Sequence, residues 1–332
     1  MIGYLPAVCY FPSTVVLIDD NRNFLKSIIP GLNNDKAKYK IFSRPQSALK
    51  FLTEEYRMDS FINRCLLRPE EEQLEHRTID VDVRAIHNEC HNSKRFDEIS
   101  VLVVDYSMPG INGLELCKQV QDKPYKKILL TCEVDESIAI KAFNEGIIDK
   151  FIRKHDPNLA KTINTAVHDL QKKYFHDLSR TVATGFSAHC GDEKTAVFLS
   201  DKVFIDFFDE VMQKTNAVEY YLMDSSGSFM FLDINGSPCW LAVKSEAEMS
   251  DFAGFAKDDN APLSVIEPLI KRNKIPYFHT DNELQTFPQN WKNFLHSAKQ
   301  LKGKDDYFYA LITDPKAYSI GKITSFADYS KK

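Results

Sequence analysis

Four sets of polar side chains in the first half of the chain each end an apolar run of strand length, and their types suit chemistry on phosphate. They are Asp19 with Asp20, Asp105, Thr131 and Lys154. In a parallel sheet the carboxyl ends of the strands lie at one edge, where open α/β sheets bind their ligands. We therefore expect three carboxylates, a hydroxyl and an amine to meet at that edge.

Together these groups could transfer a phosphoryl group onto an aspartate. Neighbouring carboxylates repel one another unless a hard divalent cation lies among them, and Mg²⁺ combines few carboxylates with water and phosphate oxygens. A carboxylate beside such an ion can attack a phosphoryl group and form an aspartyl phosphate. A hydroxyl and an ammonium group can hold the phosphoryl oxygens and neutralise their charge. Asp105 is the candidate nucleophile because the turn-forming residues 108–110 follow it closely.

The spacing of apolar residues predicts the elements that position these groups. Segments with helical spacing separate five apolar runs of strand length, at residues 14–18, 39–42, 101–105, 127–131 and 150–154. This alternation of strands and helices predicts a doubly wound parallel sheet.

This region resembles the receiver domain of two-component response regulators over roughly residues 13–175. The motif elements occur in the order of that family: Asp19-Asp20, Asp105-x-x-Met108-Pro109-Gly110-x-x-Gly113, Thr131 and Phe151-x-x-Lys154. The resemblance implies a flavodoxin-like α/β fold, with a parallel five-stranded sheet in the order 2-1-3-4-5. It also implies a phosphoacceptor rather than an enzyme, with a sensor histidine kinase or a phosphotransfer protein as its partner.

Carried over by position, the resemblance assigns the acidic residues to phosphorylation and to Mg²⁺. Asp105 corresponds to the phosphoacceptor. Asp20 and Asp105, with the backbone carbonyl of Ser107, correspond to the Mg²⁺ ligands, and Asp19 to the residue that holds a metal-bound water.

The resemblance also assigns the phosphate-binding and switch residues. Thr131 and Lys154 would bind phosphoryl oxygens, and Phe151 would move inward when Thr131 is drawn to the phosphate. Two positions depart from the family pattern. His155 replaces the usual proline after the lysine, so we expect a rearranged loop there, and Cys132 replaces a small residue, which narrows access to the phosphate pocket.

Three parts are predicted along the chain. Residues 13–157 form the receiver domain, which contains a helical insertion at about 56–98. The insertion is either a solvated excursion or a docking surface. Residues 158–186 form a long linker helix, because apolar residues recur there at three- and four-residue steps. Residues 187–332 form an α+β output domain.

The surface next to the long helix is a candidate dimer interface. In the family, the fourth helix, the fifth strand and the fifth helix often mediate dimerisation. A helix is predicted at residues 135–144, and the corresponding surface here carries mixed charges, namely Lys141, Glu145, Asp149, Lys150 and Arg153. These charges are either solvated or paired across a twofold axis, and we prefer a homodimer that forms on phosphorylation.

The output domain is predicted to contain an antiparallel meander at residues 219–243. Helical patterns are expected around residues 203–212, 245–257, 263–273 and 290–301, with a closing hairpin at residues 307–323. Two functions stay open. One is an interaction module regulated by the receiver. The alternative is a receiver-gated enzyme or nucleotide-binding domain that uses the dispersed polar residues Asp224, Asp233, Lys244 and Asp314.

Composition argues against several classes of protein. The chain has a net charge of −5, and residues 187–332 hold 21 acidic but only 16 basic side chains, so direct DNA binding is not expected. No apolar stretch is long enough to span a bilayer, and the N-terminus lacks a basic signal region. Seven scattered cysteines suit a reducing cytosol, so we expect a cytoplasmic protein.

Two weaker signals remain in the sequence, a candidate metal-binding group and a resemblance of the overall organisation. The grouping of His87, Cys90 and His91 suggests metal, but without a second ligand pair we do not expect zinc. The overall organisation resembles atypical bacterial response regulators of quorum sensing.

Overall fold

The chain forms two compact units. The computed structural model describes residues 7–58, 61–67, 80–132, 136–189, 197–278, 291–313 and 323–331. One unit, which we call the α/β unit, comprises Tyr10–Arg64, Asn92–Ser179 and Phe326–Lys332. The other, which we call the α+β unit, comprises Met1–Cys9, Cys65–His91 and Arg180–Ser325.

The strands of the described residues are short, as is usual for globular domains. In chain order they are β1 Cys9–Tyr10, β2 Ser13–Ile18, β3 Ala37–Phe42, β4 Leu66–Leu67, β5 Asp80–Val81, β6 Ile99–Asp105, β7 Lys126–Thr131, β8 Lys150–Arg153, β9 Ala217–Leu222, β10 Phe229–Asp233, β11 Pro238–Ser245, β12 Lys274–Pro276, β13 Leu295–Ser297, β14 Lys299–Lys302 and β15 Asp306–Ile312.

The helices of the described residues include one that is far longer than the others. In chain order they are α1 Arg22–Ile28, α2 Pro45–Lys50, α3 Phe61–Cys65, α4 Val83–Asn88, α5 Gly113–Gln119, α6 Glu136–Asn144, α7 Leu159–His189, α8 Lys202–Lys214, α9 Glu246–Asp258, α10 Leu263–Ile270 and α11 Phe326–Ser330.

The α/β unit is built on a parallel sheet with the order β3-β2-β6-β7-β8. This is the predicted order 2-1-3-4-5, so the flavodoxin-like fold class is confirmed. All four neighbouring pairs are parallel, and their registers place Ile18 beside Val104, Asp105 beside Leu130, and Thr131 beside Arg153. The polar strand ends therefore share one edge of the sheet.

Each face of this sheet carries its own hydrophobic core. Side chains alternate along β6: Leu102 and Val104 join a cluster with α2, α5 and α6, whereas Val101 and Val103 join a cluster with α1 and α7. All seven residues of β6 are buried, as is typical of strands covered by helices on both faces. Two packed faces fix the positions of the strand ends.

The long helix α7 has 31 residues and contains the boundary between the two units. Its first half packs on the parallel sheet through Ile163, Ala166, Val167 and Leu170. The second stretch of the α/β unit ends at Ser179 and the α+β unit resumes at Arg180, within the same continuous helix.

The helical insertion predicted at about residues 56–98 lies only partly among the described residues. Its described residues form two short α-helices, α3 and α4, two single 3₁₀ turns at Glu89–His91 and Arg95–Asp97, and a two-stranded antiparallel sheet of β4 and β5. Residues 59–60 and 68–79, with most of its predicted charged stretch, lie outside the described residues. Cys65–His91 belongs to the α+β unit, because α4 packs on β9. The predicted domain limits placed this segment in the receiver domain, and those limits remain a prediction.

The α+β unit contains a six-stranded sheet with the order β1-β9-β10-β11-β15-β14. The predicted meander is present as β9, β10 and β11, and its strands pair antiparallel. Buried aromatic rings cover the sheet, with Phe208 packed edge to face against both Tyr220 and Phe229.

Two predictions for the end of this unit meet different outcomes. The helix predicted at residues 290–301 is wrong over its second half, where β13 pairs with β12, and β14 pairs with β15 through the turn at Gly303. Partner strands thus outweigh the helical spacing of the apolar residues. The first half of the hairpin predicted at residues 307–323 is present as β15, whereas residues 314–322 of its second half lie outside the described residues.

Candidate functional site

Three carboxylates converge at the carboxyl edge of the parallel sheet. Asp19, Asp20 and Asp105 each offer an oxygen within 4.8 Å of the others. Asp19 is fully buried because it directly follows the buried strand β2. Asp105 is 4 % exposed because it is the last residue of the buried strand β6. Among the described histidine, cysteine and acidic residues, no other group of three is arranged to hold a metal ion.

The amine of Lys154 lies among these carboxylates. Its Nζ is 2.7 Å from Asp19 Oδ2 and 2.8 Å from Asp105 Oδ2. The backbone N–H of Lys154 donates to the carbonyl of Thr131 at 2.8 Å, which ties the residue to the neighbouring strand end. The Lys154 amine also lies 4.6 Å from the centre of the Phe24 ring. Contacts on several sides therefore define the position of the amine.

The ionisation of this cluster reflects burial and pairing. Burial raises the pKa of the Asp105 carboxyl, although the hydrogen bond from Lys154 and that from the Ser107 N–H oppose the rise. Burial lowers the pKa of the Lys154 amine, but its hydrogen bonds to Asp105 and Asp19 outweigh this and raise it overall. Three carboxylates and one ammonium have a formal charge of −2, which a divalent cation can balance.

The turn after Asp105 brings the next helix close to the strand end. Tyr106 N–H donates to the carbonyl of Leu130, and Gly113 N–H donates to the carbonyl of Tyr106, both at 2.9 Å. A Cβ atom at Gly113 would lie 2.1 Å from the Asp105 carbonyl oxygen. Helix α5 begins there with a capping box between Asn112 and Glu115. Only glycine fits at this helix start.

The remaining predicted site residues lie at or near the same edge. Thr131 is buried, and its hydroxyl donates to the carbonyl of Cys132 at 2.9 Å. Phe151 is half-buried on β8 and packs against the core cluster on the α2, α5 and α6 face. Ser107 is exposed in the turn after Asp105. Thr131 and Phe151 therefore lie on strands β7 and β8, which end at this edge, and Ser107 lies in the turn that follows β6.

Two residues near the site were not identified from the sequence. The side chain of Asn21 caps α1 by accepting from the N–H groups of Asn23 and Phe24, and its own N–H donates to Asp19 Oδ1 at 2.9 Å. This cap orients the Asp19 carboxylate and brings the Phe24 ring near Lys154. The signal that could have identified Asn21 is its type, since asparagine is favoured at the N-cap of a helix, together with its position directly after the acidic pair.

A parallel sheet in this order, with an acidic edge and a lysine between two aspartates, is the arrangement of a receiver domain. The response regulator receiver domain family matches residues 62–164. Over 69 residues the chain is 32 % identical to the chemotaxis protein CheY homologue of Campylobacter jejuni, a stretch of 20 % of this chain and 53 % of that protein. The chain thus spans about half the length of the curated relatives it matches.

One solved structure is similar over nearly the whole chain. It is that of the Legionella pneumophila response regulator LqsR, 34 % identical, with a TM-score of 0.79, covering 99 % of this chain and 97 % of that one. The chain therefore belongs to the response regulator family and carries the receiver domain of two-component signalling. The family match begins at residue 62. Strands β2 and β3 lie before the matched residues but belong to the same sheet, and Asp19 and Asp20 directly follow β2.

The polar residues predicted for the α+β unit do not form a single site. Lys244, 8 % exposed, lies 3.3 Å from both Asp224 and Glu248. Asp233 instead accepts backbone hydrogen bonds in the turn between β10 and β11. Asp314 lies outside the described residues.

A separate surface groove of about 390 Å³ in this unit is lined by residues that include Phe207, Lys214 and Tyr309. None of the residues of the Lys244 ion cluster lines this groove.

Two findings bear on the other classes considered. His87 lies in α4, where burial lowers the pKa of its imidazole to about 4, and the described residues do not join it to Cys90 and His91 as a metal-binding group. No helix in the described residues has both the length and the apolar character required to span a membrane.

Proposed function

We propose that this response regulator accepts a phosphoryl group on Asp105 from a sensor histidine kinase or a phosphotransfer protein. The ion pairs that join Lys154 to Asp19 and Asp105 support this proposal most directly. Asp105 is the nucleophile because it ends the central strand β6 next to both the amine and the acidic pair. A carboxylate in this position attacks phosphorus and becomes an aspartyl phosphate while the donor leaves.

The acidic edge fits Mg²⁺. Oxygen donors from Asp20 and Asp105, with the carbonyl of Ser107, would hold the ion, and Asp19 would hold a water bound to it. Three carboxylate oxygens within 4.8 Å and a formal charge of −2 suit a hard divalent cation. When bound, Mg²⁺ would neutralise charge on the phosphoryl oxygens.

Lys154 and Thr131 would hold the phosphoryl group once it is on Asp105. The ammonium of Lys154 already lies 2.8 Å from Asp105 Oδ2, so it can pair with an added oxygen after a small movement. The Thr131 hydroxyl must exchange its hydrogen bond to the Cys132 carbonyl for one to the phosphoryl group. That exchange would move β7, and we propose that the half-buried Phe151 follows inward as the switch residue.

A phosphodonor with Mg²⁺ tests the proposal. Acetyl phosphate should add one phosphoryl mass to the native chain and none to Asp105→Asn, and chelation of the metal should abolish the addition. Asp122→Asn is the matched control, because Asp122 is an exposed carboxylate in the loop before β7. Equal labelling of native chain and Asp105→Asn, or labelling that is indifferent to Mg²⁺, would contradict the proposal.

We further propose that phosphorylation promotes dimerisation through α6, β8 and α7. Helix α6 exposes three large apolar side chains, Ile138 at 40 %, Ile140 at 48 % and Phe143 at 50 %. The charged residues predicted for this surface lie alongside, and Lys173 of α7 already pairs with Asp149 at 2.9 Å. Apolar anchors surrounded by charges are typical of protein–protein interfaces.

For the α+β unit we propose an interaction module. Two of its helices expose large apolar side chains. They are Phe255 of α9, at 57 %, and Leu263 and Ile270 of α10, at 70 % and 48 %. Exposed apolar side chains that lie together mark interaction sites, and the helices α9 and α10 that carry these three residues pack against each other. The similarity to LqsR over 99 % of the chain supports a response-regulator role for the whole chain. From the resemblance of its organisation to response regulators of quorum sensing, we propose that this role is in quorum sensing.

A further inference from the structure

The short turn that precedes β6, at residues 95–98, holds side chains from several distant segments of the α/β unit. It lies at the opposite end of the strand from Asp105. The turn is fixed to β2, because Thr14 N–H donates to the Glu98 carbonyl and the Thr14 hydroxyl donates to the Phe96 carbonyl, both at 2.8 Å. It is therefore a rigid part of the sheet.

Glu98 joins two of the distant segments. Its carboxylate is 3 % exposed and accepts a hydrogen bond of 2.6 Å from the Tyr174 hydroxyl of α7. Its second oxygen lies 3.6 Å from the guanidinium of Arg64 in α3. A buried carboxylate is stable only when such partners compensate for its desolvation. Glu98 therefore holds α3 and α7 against the same strand.

Phe96 and Asp97 hold a third segment, α11. The fully buried Phe96 ring packs against Phe326 and Tyr329, with ring centres 5.1 and 4.9 Å away. The Tyr329 hydroxyl donates to Asp97, and Lys38 of β3 pairs with the same carboxylate at 3.2 Å. A helix of five residues, too short to be stable alone, is thus fixed by aromatic packing and by hydrogen bonds.

These three segments contain three of the five points at which the chain passes between the two units. The chain passes into the α+β unit after Arg64, passes into it again after Ser179 in α7, and returns from it at Phe326. All three passages are anchored within a few residues of one turn. We propose that the Arg95–Asp97 turn with Glu98 is the junction through which the receiver controls the α+β unit.

The proposal rests on phosphorylation of Asp105 as the input. Strand β6 is a single buried element of seven residues with Asp105 at one end and this turn directly before the other. A displacement of β6 on phosphorylation would therefore reach α3, α7 and α11 together. Glu98, Tyr174 and Phe326 act as positioning residues in this scheme, since none lies at the acidic edge.

Hydrogen exchange on the full chain tests the junction, with beryllofluoride and Mg²⁺ as the phosphoryl analogue. In the native chain we expect changed exchange both in β6 to β8 and in the meander β9 to β11. In Tyr174→Phe, which keeps the ring and removes one hydroxyl, and in Glu98→Gln, we expect the first change to persist and the second to be lost. The matched control Tyr39→Phe removes a hydroxyl from β3 and none of the hydrogen bonds described above.

The outcomes separate this inference from the proposed function. A native chain that shows no change in β6 to β8 contradicts phosphorylation of Asp105 itself. A native chain that responds in β6 to β8 alone overturns the junction and leaves the phosphorylation proposal intact. The junction is also overturned if Tyr174→Phe keeps the response of the meander, whatever the stability of Glu98→Gln.

Discussion

The amine of Lys154 is placed to serve the site before any phosphate arrives. It forms ion pairs with two carboxylates, one fully buried and one nearly so. In the absence of a metal ion this amine offsets much of their repulsion. One residue thus stabilises the resting fold and is available to bind the phosphoryl group.

The stability that Lys154 provides should depend on pH. Its pKa is raised in the folded chain, so its contribution is complete below the ordinary lysine pKa of about 10.4 and is lost as pH rises through the folded value. We expect Lys154→Gln to lower the free energy of unfolding by about 3 kcal/mol at neutral pH, because it leaves Asp19 and Asp105 without their cation.

Urea unfolding between pH 7 and pH 11, without divalent ions, measures this difference. The difference in the free energy of unfolding between the native chain and Lys154→Gln should become smaller towards pH 11. Lys118→Gln, which alters an exposed lysine on α5, should change stability little at any pH. A difference in the free energy of unfolding that grows as the pH rises would contradict a stabilising role of the Lys154 ion pairs.

At the scale of elements, the close contact between α5 and the end of β6 shapes the acidic edge. Gly113→Ala would place a methyl group 2.1 Å from the Asp105 carbonyl oxygen, so helix or strand must move. We expect a loss of about 2–3 kcal/mol in stability, as for overpacked cores, and slower phosphorylation of Asp105.

A glycine inside α9 provides the control for Gly113→Ala. A Cβ atom at Gly254 would meet nothing within 4 Å, so Gly254→Ala should stabilise the chain by up to about 1 kcal/mol through helix propensity. Thermal unfolding of both variants measures the contrast. Equal changes in thermal stability for Gly113→Ala and Gly254→Ala would show that the contact at Gly113 is not tight.

Helix α6 offers a second test at this scale. Phe143→Asp should raise the dissociation constant of the beryllofluoride-bound dimer at least about tenfold, because it removes an exposed apolar anchor. Ile41→Asp is the matched control, since Ile41 is an exposed apolar side chain of β3, the strand at the other edge of the sheet from β8. Analytical ultracentrifugation distinguishes them, and dimers of unchanged strength in Phe143→Asp would assign dimerisation to another surface.

The strands and their polar ends could be predicted because each apolar run stops at a carboxylate, hydroxyl or amine. The order of the strands followed from the family resemblance. Features set by distant partners could not be predicted in this way. Residues 299–302 pair as a strand with β15 although their spacing favours a helix, and α6 buries Ala139 and Ala142 rather than its larger apolar residues. Local pattern does not contain that information.

The site shows the same limit. Its acidic residues and Lys154 could be identified from type and position, and the structure brings them together. The hydrogen bond of Thr131 to Cys132 and the position of Phe24 depend on loop geometry, which residue types alone do not determine.

At the scale of the whole molecule, the chain crosses between its units five times. The last crossing is secured by Phe326, which is 1 % exposed against Phe96. We expect Phe326→Ala to destabilise the chain by about 3–4 kcal/mol, as for other buried phenylalanines. Differential scanning calorimetry checks this value.

Phe255→Ala is the comparison for Phe326→Ala. It truncates a phenylalanine that is 57 % exposed in the α+β unit, so we expect a change within about 0.5 kcal/mol. If Phe326→Ala were equally mild, α11 would contribute little to the α/β unit.

The five crossings limit how such a chain can be recombined. Many modular proteins exchange parts by a single splice in an exposed linker, because few contacts cross there. A single cut in α7 would separate neither unit here, since each is assembled from three stretches of sequence. A chimaera that combines this receiver with another output would need to replace several stretches together. The two units are therefore expected to have been inherited as a single block.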